Sequence, residues 1–140
     1  MPSPSKITPT RSDTPSNLPG MVTRGHRFEV PLNHGDPSGP TIELFAREVR
    51  ASGAREKERP WLVFLQGGPG YEAPRPTDAS GWLGRALEQF HVLLPDQRGT
   101  GLSTPIQGER VAAMGSPAAQ AEYLSFFRAD SIVRDCELLR

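Results

Sequence analysis

At 140 residues the chain is long enough to bury one core of its own, and its sixteen basic and sixteen acidic side chains give a formal net charge of zero. That balance excludes a field favouring nucleic acid, and no apolar run approaches the ~20 residues of a membrane span, so neither partner is expected. The lone Cys136 rules out an internal disulfide, and residues 1–20 contain no apolar signal-type segment, so the expected compartment is the cytoplasm.

Residues 1–20 are rich in Pro, Ser and Thr and offer little to bury, which predicts a disordered tail. The domain is placed at residues 21–140, with order beginning near Gly25. In HRFEVPL, Phe28, Val30 and Leu32 alternate with polar or turn residues, the period of a half-exposed strand. The turn-rich NHGDPSGP follows, and TIELFAREV alternates again through Ile42, Leu44, Phe45 or Ala46, and Val49. Two such runs across a Gly/Pro turn predict an antiparallel hairpin. The charged stretch ASGAREKER reads as a solvated loop.

WLVFLQ, residues 61–66, is apolar without alternation, the pattern of a strand covered on both faces. It runs into Gly67, Gly68, Pro69 and Gly70. From Ser80 the period changes: Trp82, Leu83, Ala86, Leu87 and Phe90 form one helical stripe, with Trp82 and Phe90 expected in the core. HVLLPD is a second short apolar run, ending at Asp96. Strand, glycine loop, helix and strand make a right-handed parallel crossover, and hence an α/β domain. Further on, 116–128 reads as a helix with Ser116 as N-cap and Pro117 in its first turn. Residues 129–140 begin another, with Asp130 as cap and Ile132, Val133, Cys136 and Leu139 on its stripe. That helix carries no stop signal, and two parallel strands are too few to cover their own faces, which points to the front portion of a longer design.

Ligands of open parallel sheets sit beyond the carboxyl ends of the strands. Both glycine-rich segments, QGGPG and DQRGTG, follow strand ends and would share one rim. Gly67, Gly68 and Gly70 leave backbone N–H groups bare, which suits either a tight turn or donors to a developing oxyanion. A phosphate cradle fails on detail: no Gly-Lys-Ser/Thr follows the loop, and GTGLST is only a partial dinucleotide motif. His26, His34 and His91 lie in or beside the early strands without metal-ligand spacing, so no metal or cofactor is expected. Cys136 reads as a core or half-buried thiol and Tyr71 as a candidate pocket wall.

QGGPG, followed some thirty residues later by DQRGTGLS, resembles the HGGPG and DQRGxGxS segments of the proline iminopeptidases, serine peptidases of the α/β-hydrolase fold. The leading hairpin is similar to that family's entry strands, and the resemblance covers roughly residues 25–140. It implies the N-terminal part of an α/β-hydrolase fold, an antiparallel hairpin and then the start of a parallel sheet with flanking helices. It implies removal of an N-terminal proline or similar residue from a peptide substrate, without a cofactor. One oxyanion donor carries over onto Gly67 or Gly68, and Gln66 stands where the family has histidine. The remaining motif residues, Pro69, Gly70, Asp96, Gln97, Arg98, Gly99, Gly101 and Ser103, are read as structural support, with Asp96 and Arg98 able to pair.

No G-x-S-x-G string, the nucleophile elbow of this fold, occurs in the 140 residues, and Ser103, in GLSTP, is not flanked by glycine on both sides in that register. Since acid and histidine follow the nucleophile in this fold, the whole triad is expected beyond Arg140 and the chain alone is expected to be inactive. Two alternatives stand beside this reading. One is another α/β-hydrolase, an esterase or an epoxide or haloalkane hydrolase; the other is a non-catalytic binding module.

Overall fold

The computed structural model describes residues 6–54, 57–68 and 70–140. Residues 1–5 of the expected tail, two positions of the charged loop and Pro69 therefore lie outside the described residues. Among the described residues six strands form one mixed sheet in the order β1-β3-β4-β6-β5, with β2 also paired to β3. The strands are β1 (Arg11–Ser12), β2 (Ser16–Leu18), β3 (Met21–Pro31), β4 (Thr41–Ala51), β5 (Trp61–Val63) and β6 (His91–Pro95). The helices are α1 (Gly81–Ala86), α2 (Gly108–Ala112), α3 (Pro117–Ser125) and α4 (Ala129–Leu139).

The expected hairpin is present. β3 and β4 pair antiparallel from Met21 opposite Ala51 to Pro31 opposite Thr41. The tail is corrected for part of its length: β1 and β2 lie antiparallel on β3, starting from the bond Thr10 N–H to the Arg27 carbonyl at 2.8 Å. Those strands are held through backbone hydrogen bonds, which need no apolar side chains.

β6 lies between β4, antiparallel, and β5, parallel. Its alternate residues face opposite ways. Val92 and Leu94 join Met21, Val49, Leu83 and Leu87 in one core, while Leu93 packs with Phe28, Val30, Leu44 and Ala46 in the other. α1 covers the first core through Leu83 and Leu87, and α4 reaches the second through Leu138 and Leu139.

Three expectations about apolar residues are corrected. β5 is the edge of the sheet rather than a strand covered on both faces: Trp61, Val63 and Leu65 are 46, 38 and 44% exposed. They face a groove of about 680 Å³ that also touches Leu93 and Leu139. Trp82 is half exposed and stacks on Phe64 at 4.7 Å, outside the core expected for it, and Phe90 is only half-buried. α1 is only six residues long, so of its stripe only Leu83 and the C-cap Leu87 are buried, with Ala86 packed beside them.

In α4 the N-cap is Arg128 rather than Asp130, and the buried face carries Ser131, Ile132 and Asp135 while Val133 is exposed. Ser116 does cap α3, its hydroxyl oxygen accepting from the Ala119 N–H at 3.2 Å. No helix among the described residues is long and apolar enough to cross a membrane.

Candidate active site

The two glycine loops leave the same end of the parallel pair β5–β6 and touch each other. The Gln97 side-chain amide donates from Nε2 to the Gln66 carbonyl at 2.9 Å. Gln97 is 8% exposed and its Oε1 meets no donor among the described residues. Gly67, Gly68 and Gly70 lie exposed on the rim with Tyr71 beside them. Among the described residues, neither the Gly67 nor the Gly68 N–H meets an acceptor. Two adjacent backbone donors with nothing to bond are able to receive an anionic oxygen.

The glycines differ in what demands them. Gly68 and Gly70 take positive φ, 129° and 136°, which an L side chain avoids. Gly67 does not take positive φ, and a Cβ built on it would meet nothing within 4 Å. In the second loop Gly101 has φ 51°, and its Cβ would strike the Asp96 Oδ2 at 2.3 Å. Gly99, at φ 85°, would drive its Cβ into Phe127 at 2.8 Å.

The expected pairing of Asp96 with Arg98 is overturned. Asp96 is fully buried and takes a fork from Arg75, Nη1 to Oδ1 at 2.8 Å and Nη2 to Oδ2 at 2.5 Å. It also accepts from the backbone N–H groups of Ala73 and Leu102, at 3.0 and 2.9 Å. Its hydrogen bonds to Arg75 hold that guanidinium's pKa above the ordinary value. Arg75 further lies over the Phe45 ring at 5.2 Å. Arg98 turns to the other side of the sheet and bonds Asp135 of α4 through Nε at 2.7 Å and Nη2 at 2.6 Å. Its other N–H groups go to the carbonyls of Pro31, Leu32 and Phe126.

All five guanidinium donors are thus spent without His34. The His34 Nε2, 2.8 Å from Asp135 Oδ1, must then carry the proton and donate to that carboxylate. The physical reason for the separation is that strand alternation ends at Pro95, where β6 stops, so residues two apart no longer share a face.

Ser103 is fully buried. Its hydroxyl donates to the Asp96 carbonyl at 2.6 Å and accepts from the Phe45 N–H at 2.8 Å, tying the second loop to β4. Arg75 and Asp135 are the residues that the sequence did not reveal. Neither stands in a glycine motif; each is found only by asking which opposite charge could neutralise the buried Asp96 and Arg98.

His26, Glu48 and His91 make contacts within the fold. His26 bridges Ser12 on β1, at 2.7 Å, and Glu48 on β4, at 2.9 Å. Burial disfavours the Glu48 charge, but hydrogen bonds from His26 and Arg50 outweigh it and hold its pKa down at about 2. The buried His91 donates from Nε2 to the Lys57 carbonyl at 2.7 Å. Burial, with Asp135 and Glu137 nearby, pushes the half-buried Cys136 thiol up to about 11, so it stays protonated. Among the described residues no group of three or more metal-ligating side chains gathers.

No family model matches the chain. Two curated proteins do. It is 54% identical over 124 residues to a proline iminopeptidase of Aeromonas sobria, covering 88% of this chain and 29% of that one. It is 47% identical over 116 residues to the proline iminopeptidase aneH of Aspergillus aculeatus, covering 81% of this chain and 26% of that one. The chain spans less than a third of the length of these relatives, and over most of its own length it is a proline iminopeptidase-like sequence.

Proposed function

We propose that this segment forms the oxyanion side of an α/β-hydrolase that releases N-terminal proline, or a similar residue, from peptides. The observation that carries the reading is that the N–H groups of Gly67 and Gly68, at the carboxyl-end rim of parallel strands, meet no acceptor among the described residues. Nothing in the packing or backbone conformation calls for glycine at position 67, so its bareness suits the approach of a substrate oxygen. One of these donors would stabilise the negative oxygen formed when a serine attacks the scissile carbonyl. Asp96, Arg98, Gly99, Gly101 and Ser103 hold the neighbouring loop, and Gly68 and Gly70 give the first its positive-φ turns. Within these 140 residues no G-x-S-x-G supplies the nucleophile, so the segment alone makes no acyl-enzyme. The names of the two relatives support the peptidase over an esterase or an epoxide or haloalkane hydrolase.

The test is a chimera in which this chain replaces the matching segment of the Aeromonas sobria relative. It is expected to release proline from a proline-initiated peptide, and Gly67→Pro, which removes one N–H, is expected to lower kcat by ~10²–10³. The 140-residue chain by itself is expected to take no label from a fluorophosphonate probe. Labelling of any serine in it, or full activity of the chimera carrying Gly67→Pro and Gly68→Pro together, refutes the assignment.

A further inference from the structure

We infer that Gln97 is a positioning residue that sets the direction and donor strength of the Gly67 N–H. The Gln66 carbonyl and the Gly67 N–H belong to one planar trans peptide, in which they point to opposite sides of the chain. A bond that fixes the carbonyl therefore fixes the N–H. Here the fixing bond is Gln97 Nε2–H to the Gln66 oxygen, at 2.9 Å. Without it this peptide would be poorly held, because residues 67, 68 and 70 are all glycine and none of the three packs inside the fold. Donation to the carbonyl also polarises the peptide and makes its N–H a stronger donor.

The anchor is itself rigid. The Gln97 carbonyl accepts from the Thr100 N–H at 3.0 Å and from the Thr100 hydroxyl at 2.7 Å, and the preceding Asp96 is locked by Arg75. The orientation of the amide follows from the chemistry, since only the NH₂ end can face a carbonyl. Its Oε1 is then left buried without a donor among the described residues. A buried acceptor without a donor works against folding. The bond to Gln66 is therefore the one contribution the amide makes, and an apolar side chain of similar shape would suit the fold at least as well.

The catalytic consequence rests on the reading of Gly67 proposed above; the positioning itself does not. In the ¹⁵N-labelled 140-residue chain, Gln97→Met is expected to lower the Gly67 order parameter from ~0.85 toward the flexible range below ~0.6, with Gly99 and Gly101 unchanged. Gln97→Glu sets an acceptor against the Gln66 carbonyl and is expected to loosen Gly67 at neutral pH. On acidification the new carboxyl gains a proton, donates, and the order returns, a recovery that loss of fold would not produce. An unchanged Gly67 amide in both variants overturns the inference, and so does uniform loosening of all three glycines without recovery in acid.

In the chimera, Gln97→Met is expected to lower kcat ~10–100-fold at constant KM, less than removal of the donor itself. Loss of Gly67 order with kcat unchanged would keep the positioning role and sink the oxyanion reading.

Discussion

The ion pair between Arg98 and Asp135 gives the sharpest energetic prediction. The Arg98 side chain is fully buried and that of Asp135 is 5% exposed, so neither charge has water to turn to. Asp135→Ala would leave a buried guanidinium with two N–H groups unspent and His34 without its acceptor. Breaking a buried pair from one side costs about 3–5 kcal/mol, and a domain of this size has only ~5–15 kcal/mol in total. For this chain length the expected fall in Tm is ~10–20 °C.

The cost arises from the charge left behind, so adding Arg98→Met to Asp135→Ala should do less harm than either change's separate effect implies. The double-mutant cycle should return a coupling of about 2–3 kcal/mol. It is not expected to restore wild-type stability, because the carbonyls of Pro31, Leu32 and Phe126 also lose their donor. Urea unfolding of the four proteins measures each corner of the cycle. An Asp135→Ala loss below ~1 kcal/mol, or two additive single effects, would refute the claim that this pair joins α4 to the sheet.

Two other perturbations follow from the same packing. Gly101→Ala combines positive φ with a Cβ set against Asp96, a carboxylate that Arg75 and two backbone N–H groups keep from moving. It should cost about 2–3 kcal/mol in urea unfolding, whereas Gly67→Ala should cost less than ~0.5 kcal/mol, and equal effects would undo the distinction between the two loops. Glu48 has a folded pKa of about 2 against an ordinary 4.5, so its stabilisation is whole above pH 4.5 and fades as the pH falls toward 2. Because this carboxylate is partly solvated, screening reduces its share to about 1–2 kcal/mol. Unfolding from pH 6 to 2 should show wild type and Glu48→Gln converging in acid, and a constant gap would contradict the sign.

How much of this was legible in the sequence depended on whether side-chain pattern or remote pairing decides the structure. The β3–β4 hairpin was readable because alternation records which face of a strand is buried. The α3 start was readable because Ser116 and Pro117 state a helix entry locally. β1 and β2 left no trace, since strands that add to an edge through backbone bonds need no apolar partners. The run from Trp61 to Leu65 misled for the converse reason: its composition reports affinity for burial, not whether a neighbour is there to cover it. Asp135 was invisible because a carboxylate in a short helix ordinarily faces water. Only a buried arginine 37 residues away in the chain makes its burial favourable.

The candidate site was legible as a pair of motifs but not as two kinds of glycine. In DQRGTG, Gly99 and Gly101 are dictated by what surrounds them: a side chain at either would enter Phe127 or Asp96. In QGGPG, Gly68 and Gly70 are dictated by their own dihedral angles, and Gly67 by neither cause. The proposed oxyanion role rests on a residue that the fold does not demand, flanked by ones that it does, and whose peptide carbonyl is held by Gln97. The sequence shows the glycines alike; only the space around each separates the position that supports a loop from the position kept bare.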